Sequence, residues 1–207
     1  MSQVNPLHPI RWRMLPSLSD LFGATRAPAG YRPRATLEQL RRNLGALEFE
    51  WLDDARGRFR VPTLNLSFDV SERTQSELLM HLVLTDFKLE VPARGAQACR
   101  FEIRHTGALS RTGISCKWYE GGGAWADALN VALLSDAALK QALMPLDFRA
   151  LELVRTTGMW TVRLEHMAAS EVVSRMPHFR RYIRLDHTQR DHLLDTFVAL
   201  QRILRAH

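Results

Sequence analysis

The chain has 207 residues, 46% of them hydrophobic, enough to bury a sizeable core in one domain. Its formal net charge is +6, but all 28 basic residues except Lys88, Lys117 and Lys140 are Arg, and they are spread along the chain with no block of five or six like charges, which excludes a polybasic tail. Two thiols, Cys99 and Cys116, exclude a four-thiolate zinc site and a multi-disulfide framework, and no apolar run reaches the roughly 18 residues of a membrane-spanning helix.

Residues 1–34 form a proline-rich N-terminal arm: Pro6, Pro9, Pro16, Pro28 and Pro33 remove backbone donors and prevent one long element. Trp12, Met14, Leu15, Leu18, Leu21 and Phe22 are too many large apolar residues for a wholly solvated arm, so it is expected to dock on the domain or on a partner. No continuous apolar stretch follows its charges; no secretory signal is predicted, and cytoplasm is the default compartment.

Residues 35–207 read as one domain. Thr36-Leu37-Glu38-Gln39 fits a capping box, and Leu37, Leu40, Leu44 and Leu47 fall on one helical face until Gly45 suggests an end. Phe49 and Trp51, then Phe59 and Val61, flank Asp53-Asp54-Ala55-Arg56-Gly57 as a hairpin, and Leu64, Leu66, Phe68 and Val70 continue with a half-solvated strand. Leu78 to Val91 predicts a long strand, central at its start, and Pro92 to Ala98 a loop. Cys99, Phe101 and Ile103 predict a strand paired with Ile114, Cys116 and Trp118 around a two-residue Gly107-Ala108 turn, with Cys99 facing Cys116 and Phe101 facing Ile114, a longer loop through Gly113 being the competing arrangement. Gly121-Gly122-Gly123 reads as a linker between a strand-rich and a helix-rich half. Two short helices follow, Ala124 to Leu134 and Ser135 to Met144, the second capped by Ser135 or Asp136.

The stretch Met159 to Leu185 carries the strongest order. Trp160, Val162 and Leu164 alternate with Thr161, Arg163 and Glu165, the period of a strand with one wet face. Ala168-Ala169-Ser170-Glu171 breaks that alternation, and Tyr182 to Leu185 resumes an extended pattern. Asp186 opens a final helix whose apolar face comprises Leu193, Leu194, Phe197, Leu200, Ile203 and Leu204. The order predicts an α+β fold, a mostly antiparallel sheet with helices packed on one face and a long C-terminal helix.

Chemistry-bearing residues are sparse. Glu165, His166 and Ser170 offer an acid, a base and a nucleophile, but no Gly-x-Ser-x-Gly elbow accompanies them, so a hydrolase is a distant alternative and His166 is expected to be a hydrogen-bonded core histidine. His178, His187 and His192 with Asp186 and Asp191 lack the spacing of a shared metal site, and neither metal nor cofactor is predicted. Arg180, Arg181, Arg184 and Arg190 make the densest basic cluster and are the candidate anion site. Trp118, Trp160 and His166 are candidate walls of a ligand pocket. The sequence thus points to a non-catalytic binding or accessory protein, taking a small apolar ligand between sheet and helix or a protein partner through the arm. The alternative is polyanion binding by the Arg cluster, disfavoured because genomic Arg bias in an Ala- and Leu-rich chain would produce the same charge.

Trp160 to His166, Ala169 to Val173 and Arg181 to Leu185 together resemble segments of a bacterial protein family of unknown function. The resemblance covers most of the chain after Arg60 and implies no activity, substrate or catalytic residue.

Overall fold

A computed structural model describes residues 31–207 apart from 77–79, 95–96, 108–109 and 121–122. The arm up to residue 30, Leu78, Ala108 and the first two residues of the triple glycine therefore lie outside the described residues.

Among the described residues the alternating segments form nine antiparallel strands: β1 (Glu48–Trp51), β2 (Arg56–Val61), β3 (Leu66–Ser76), β4 (Met80–Pro92), β5 (Cys99–Thr106), β6 (Gly113–Glu120), β7 (Phe148–Thr156), β8 (Met159–Arg175) and β9 (His178–Ile183). They build one sheet in the order β1-β2-β3-β4-β8-β7-β5-β6, with β9 also paired to β8. β8 is the axis of the molecule. One of its edges meets β4 along its length, and the other meets β7 over its first half and β9 over its second. The triple glycine is not a divide between halves, because β7 and β8, which follow it, insert between β4 and β5, which precede it.

Four helices among the described residues, α1 (Ala35–Leu44), α2 (Ala124–Ser135), α3 (Ala137–Leu143) and α4 (His187–Ala206), cover one face of the sheet. Leu37 and Leu40 of α1 and Leu193, Phe197, Leu200 and Leu204 of α4 are fully buried, as the one-face spacing requires. They meet the inward side chains of the strands in a single core cluster that runs from Leu37 to Leu204. Phe59 stacks on Phe68 at 5.5 Å and Phe68 meets Phe197 of α4 at 5.2 Å, so aromatic contacts tie the sheet to the last helix.

Three local expectations need correction. α1 has no capping box: Arg34 precedes it in a left-handed conformation, and the Thr36 hydroxyl is buried with no hydrogen-bond partner among the described residues. The free helix amide at Leu37 instead donates to Glu72 Oε1 of β3 at 2.9 Å, while Tyr31 donates its hydroxyl to Glu72 Oε2 at 2.6 Å. The β5–β6 hairpin has a wider loop than a two-residue turn. Thr106 pairs with Gly113, which sets Phe101 opposite Trp118 and Cys116 opposite Ile103, whereas Cys99 pairs with Arg155 of β7. Gly107 shows why: it adopts φ +100°, and a Cβ there would lie 1.9 Å from the Ser110 carbonyl oxygen, so the chain folds back on itself inside the loop. Finally, Leu64 sits in a 3-10 turn, Pro62–Leu64, rather than in β3, and is exposed.

Candidate functional site

The break in alternation at Ala168 is a bulge inside β8. Thr85 of β4 pairs with His166, while Val83 pairs with Glu171, so four residues of β8 face Leu84 alone. Ala169 has φ +66°, a conformation that Cβ sterics disfavour, and the surroundings hold it there. Thr85 Oγ1 donates to the Ala169 carbonyl at 2.5 Å, Ser170 Oγ donates to the His166 carbonyl at 3.2 Å, and Met167 N donates to the Asp147 carbonyl at 3.0 Å. Every one of these bonds satisfies backbone that the bulge removes from the ladder.

His166 is the centre of this knot and is fully buried. Its Nδ1 accepts the Ala168 N–H at 2.9 Å, which fixes the proton on Nε2, and Nε2–H donates to Gln189 Oε1 at 3.0 Å. Gln189 completes the chain by donating Nε2–H to the Pro145 carbonyl at 2.8 Å, while its own amide is capped by Asp186 Oδ1 at 2.8 Å. Burial holds the imidazole below its ordinary pKa. The histidine therefore joins the bulge, the α3–β7 loop and the first turn of α4.

The other members of the acid–base–nucleophile trio do not converge on it. Glu165 points to the opposite, outer face, where it pairs with Arg73 and with Arg149, and Ser170 spends its proton on the His166 backbone rather than the ring. The outer face is a lattice of such pairs, among them Arg58–Asp69, Arg73–Asp86 and Arg100–Glu152.

Trp160, Trp118 and His166 occupy three different places. Trp160 is fully buried against Phe101, with the Arg155 guanidinium 5.3 Å from its ring and 3.9 Å from that of Trp125. Arg155 itself is buried and donates to the Gln97 and Arg94 carbonyls, stapling the β4–β5 loop to the core. Six residues along β8, roughly 20 Å at strand rise, separate Trp160 from His166. Trp118 is 41% exposed on β6, the last strand of the sheet. Among the described residues the inward side chains of sheet and helices form one core cluster, and two open surface grooves hold about 260 Å³ between α3 and α4 and about 400 Å³ over Asp86, Lys88 and Arg163 on the outer face.

The Arg cluster is only partly committed to partners. Arg180 forms a two-pronged pair with Glu171, and Arg190 pairs with Asp191 at 2.8 Å. Arg181 and Arg184 are exposed. Neither Asp186 nor Asp195 takes part; Asp186 is used as the α4 cap. Among the described residues no group of three or more His, Cys, Asp or Glu side chains comes together as a metal site would.

A row of exposed apolar side chains crosses β4, β8 and β9 at one end of the sheet. Met80 of β4 pairs with Ser174 of β8, and Ser174 pairs with Phe179 of β9, so the three stand in one row on one face. Met80 is 38% and Phe179 44% exposed, and Met176, beside the cis Met176–Pro177 peptide of the β8–β9 turn, is 76% exposed. The next row, Leu82, Val172 and Arg181, extends this apolar patch and borders it with a guanidinium. Register alone brings these residues together, which is why no sequence spacing announces them.

These features define an α+β domain: an open antiparallel sheet, helices on one face, ion pairs on the other and a histidine-centred knot in the longest strand. The chain belongs to the family described as Protein of unknown function (DUF3156), which matches residues 42–204 and so begins within α1. No curated protein and no solved structure matches it.

Proposed function

We propose that this protein is a non-catalytic binding protein whose partner is another protein. The observation that supports this most is the row of Met80 and Phe179 with Met176 and Arg181 at one end of the sheet. Thioether side chains are unbranched and polarisable and repack against varied shapes, and an exposed aromatic beside an Arg is the composition of an interaction hot spot. An apolar patch on a wet strand face is also an aggregation hazard unless something covers it. The trio Glu165, His166 and Ser170 is occupied in structural bonds, and the inward side chains among the described residues form one core cluster, so neither hydrolysis nor enclosure of a small apolar ligand draws comparable support.

The test is native mass spectrometry of the full chain purified from its own host, followed by hydrogen exchange on any stoichiometric complex. Protection at residues 80–82 and 172–181, with loss of the partner from a Met80→Ser/Phe179→Ser variant, is the expected result. A partner retained at full occupancy by that folded variant refutes the reading.

A further inference from the structure

A sheet that does not close has edges, and each exposed edge is a row of unpaired backbone donors and acceptors that natural proteins blunt. Among the described residues the sheet has three free edges, and two of them are blunted. β1 has four residues and carries Glu48 and Glu50, and β9 places His178, Arg180 and Arg181 within six residues, a charge density that repels a second copy. β6 is different: it has eight residues, Gly-Ile-Ser-Cys-Lys-Trp-Tyr-Glu, with no proline and one residue of each charge, and its one bulge, at Tyr119, leaves Gly113 to Trp118 as a regular open edge. Its last aromatics, Trp118 and Tyr119, are 41% and 55% exposed.

From this regular edge, unpaired among the described residues, we infer that β6 pairs antiparallel with β6 of a second copy of this chain, with Cys116 on the two-fold axis, so that the sheet runs continuously through a homodimer. The inference goes beyond the partner-binding reading and rests on a different part of the sheet.

The register follows from side-chain matching. A two-fold axis normal to the sheet keeps each face continuous, so inward residues must meet inward residues, and only Cys116, Lys117 or Trp118 can stand on the axis while most of β6 remains paired. Lys117 on the axis sets an ammonium against its own copy. Trp118 on the axis leaves Gly113 to Ser115 beyond the partner strand and runs the pairing into the bulge at Tyr119. With Cys116 on the axis, Ile114 faces Trp118 twice, covering the exposed indole, and Ser115 faces Lys117 twice on the outer face, with no like charges opposed. The pattern Ile-Ser-Cys-Lys-Trp is thus complementary to itself when reversed.

Analytical ultracentrifugation of the full chain, over about 1 to 100 μM, tests the inference with outer-face substitutions that leave the core untouched. The native chain is expected to show a monomer–dimer equilibrium. Ser115→Lys sets two lysines against Lys117 of the other copy across both symmetric pairs and should weaken the dimer roughly two- to thirty-fold. Ser115→Lys combined with Lys117→Glu restores opposite charges and should recover it. A chain that stays monomeric throughout overturns the inference, including one whose β6 amides are protected from exchange, since a strand from elsewhere then occupies the edge. A dimer indifferent to Ser115→Lys but lost in Met80→Ser/Phe179→Ser also overturns it and transfers the contact to the β4–β8–β9 patch.

Discussion

His166 and His105 show how a single side chain makes the fold sensitive to pH. His105 donates Nε2–H to the Leu143 carbonyl, 2.9 Å away, which places the proton on that nitrogen, and burial lowers its pKa as it does that of His166. For His166 the cation would also destroy the Ala168 N–H to Nδ1 bond, leaving two donors face to face. A folded pKa below the unfolded value of about 6.5 gives the sign. Above that value neither state is charged and the stability is present in full. As pH falls below it, the unfolded chain takes up protons that the folded chain refuses, so stability is lost until the folded imidazoles also titrate. The denaturation midpoint should therefore fall between pH 7.5 and 5.5, and His166→Gln should make that fall smaller. An equally steep fall in the His166→Gln variant would remove His166 from the account.

At the scale of elements, neighbours in space override neighbours in sequence. The start of α1 has the residues of a capping box, yet Glu72, 35 positions away from Leu37 on β3, supplies the acceptor. A carboxylate can do so because the free amides of a first helical turn carry partial positive charge. Two substitutions separate the two caps. Thr36→Val should leave stability unchanged to within about 0.5 kcal/mol, because the hydroxyl it removes has no partner among the described residues. Glu72→Ala should cost about 0.5 to 2 kcal/mol, the usual range for loss of a cap. Thermal melting checks both, and the reverse ranking would reinstate the local capping box. The same override explains β8. Its alternation fails at Ala168 because the strand contains a bulge, and it then continues to Arg175 because β4 and β9 pair on both sides of it.

Over the whole molecule, the basic balance is dispersed through the fold. The outer sheet face alternates Arg with Asp and Glu, and within the candidate anion cluster Arg180 and Arg190 already hold carboxylates. Phosphate contacts by Arg180 and Arg190 would have to displace those carboxylates, and contacts by the exposed Arg181 and Arg184 would be screened by salt. Binding to a labelled duplex or single strand should therefore be weak at about 50 mM salt and fall away by about 200 mM. Sub-micromolar binding at the higher salt, abolished by Arg180→Ala/Arg181→Ala/Arg184→Ala, would instead make polyanion recognition the function.

The sequence by itself determined the α+β class, the strands and helices with strong periodicity, the Asp186 cap and the buried side of α1 and α4. Each of these rests on residues within a few positions of one another, where spacing translates directly into a face. Only the tertiary structure decided the register of the β5–β6 hairpin, the Glu72 cap, the partners of His166 and the row joining Met80, Ser174 and Phe179. The reason is physical: a strand's pattern fixes which face a side chain takes but not which residue stands opposite it. That choice depends on loop conformation, bulges and the pairing of distant strands, and the candidate sites are built from those pairings.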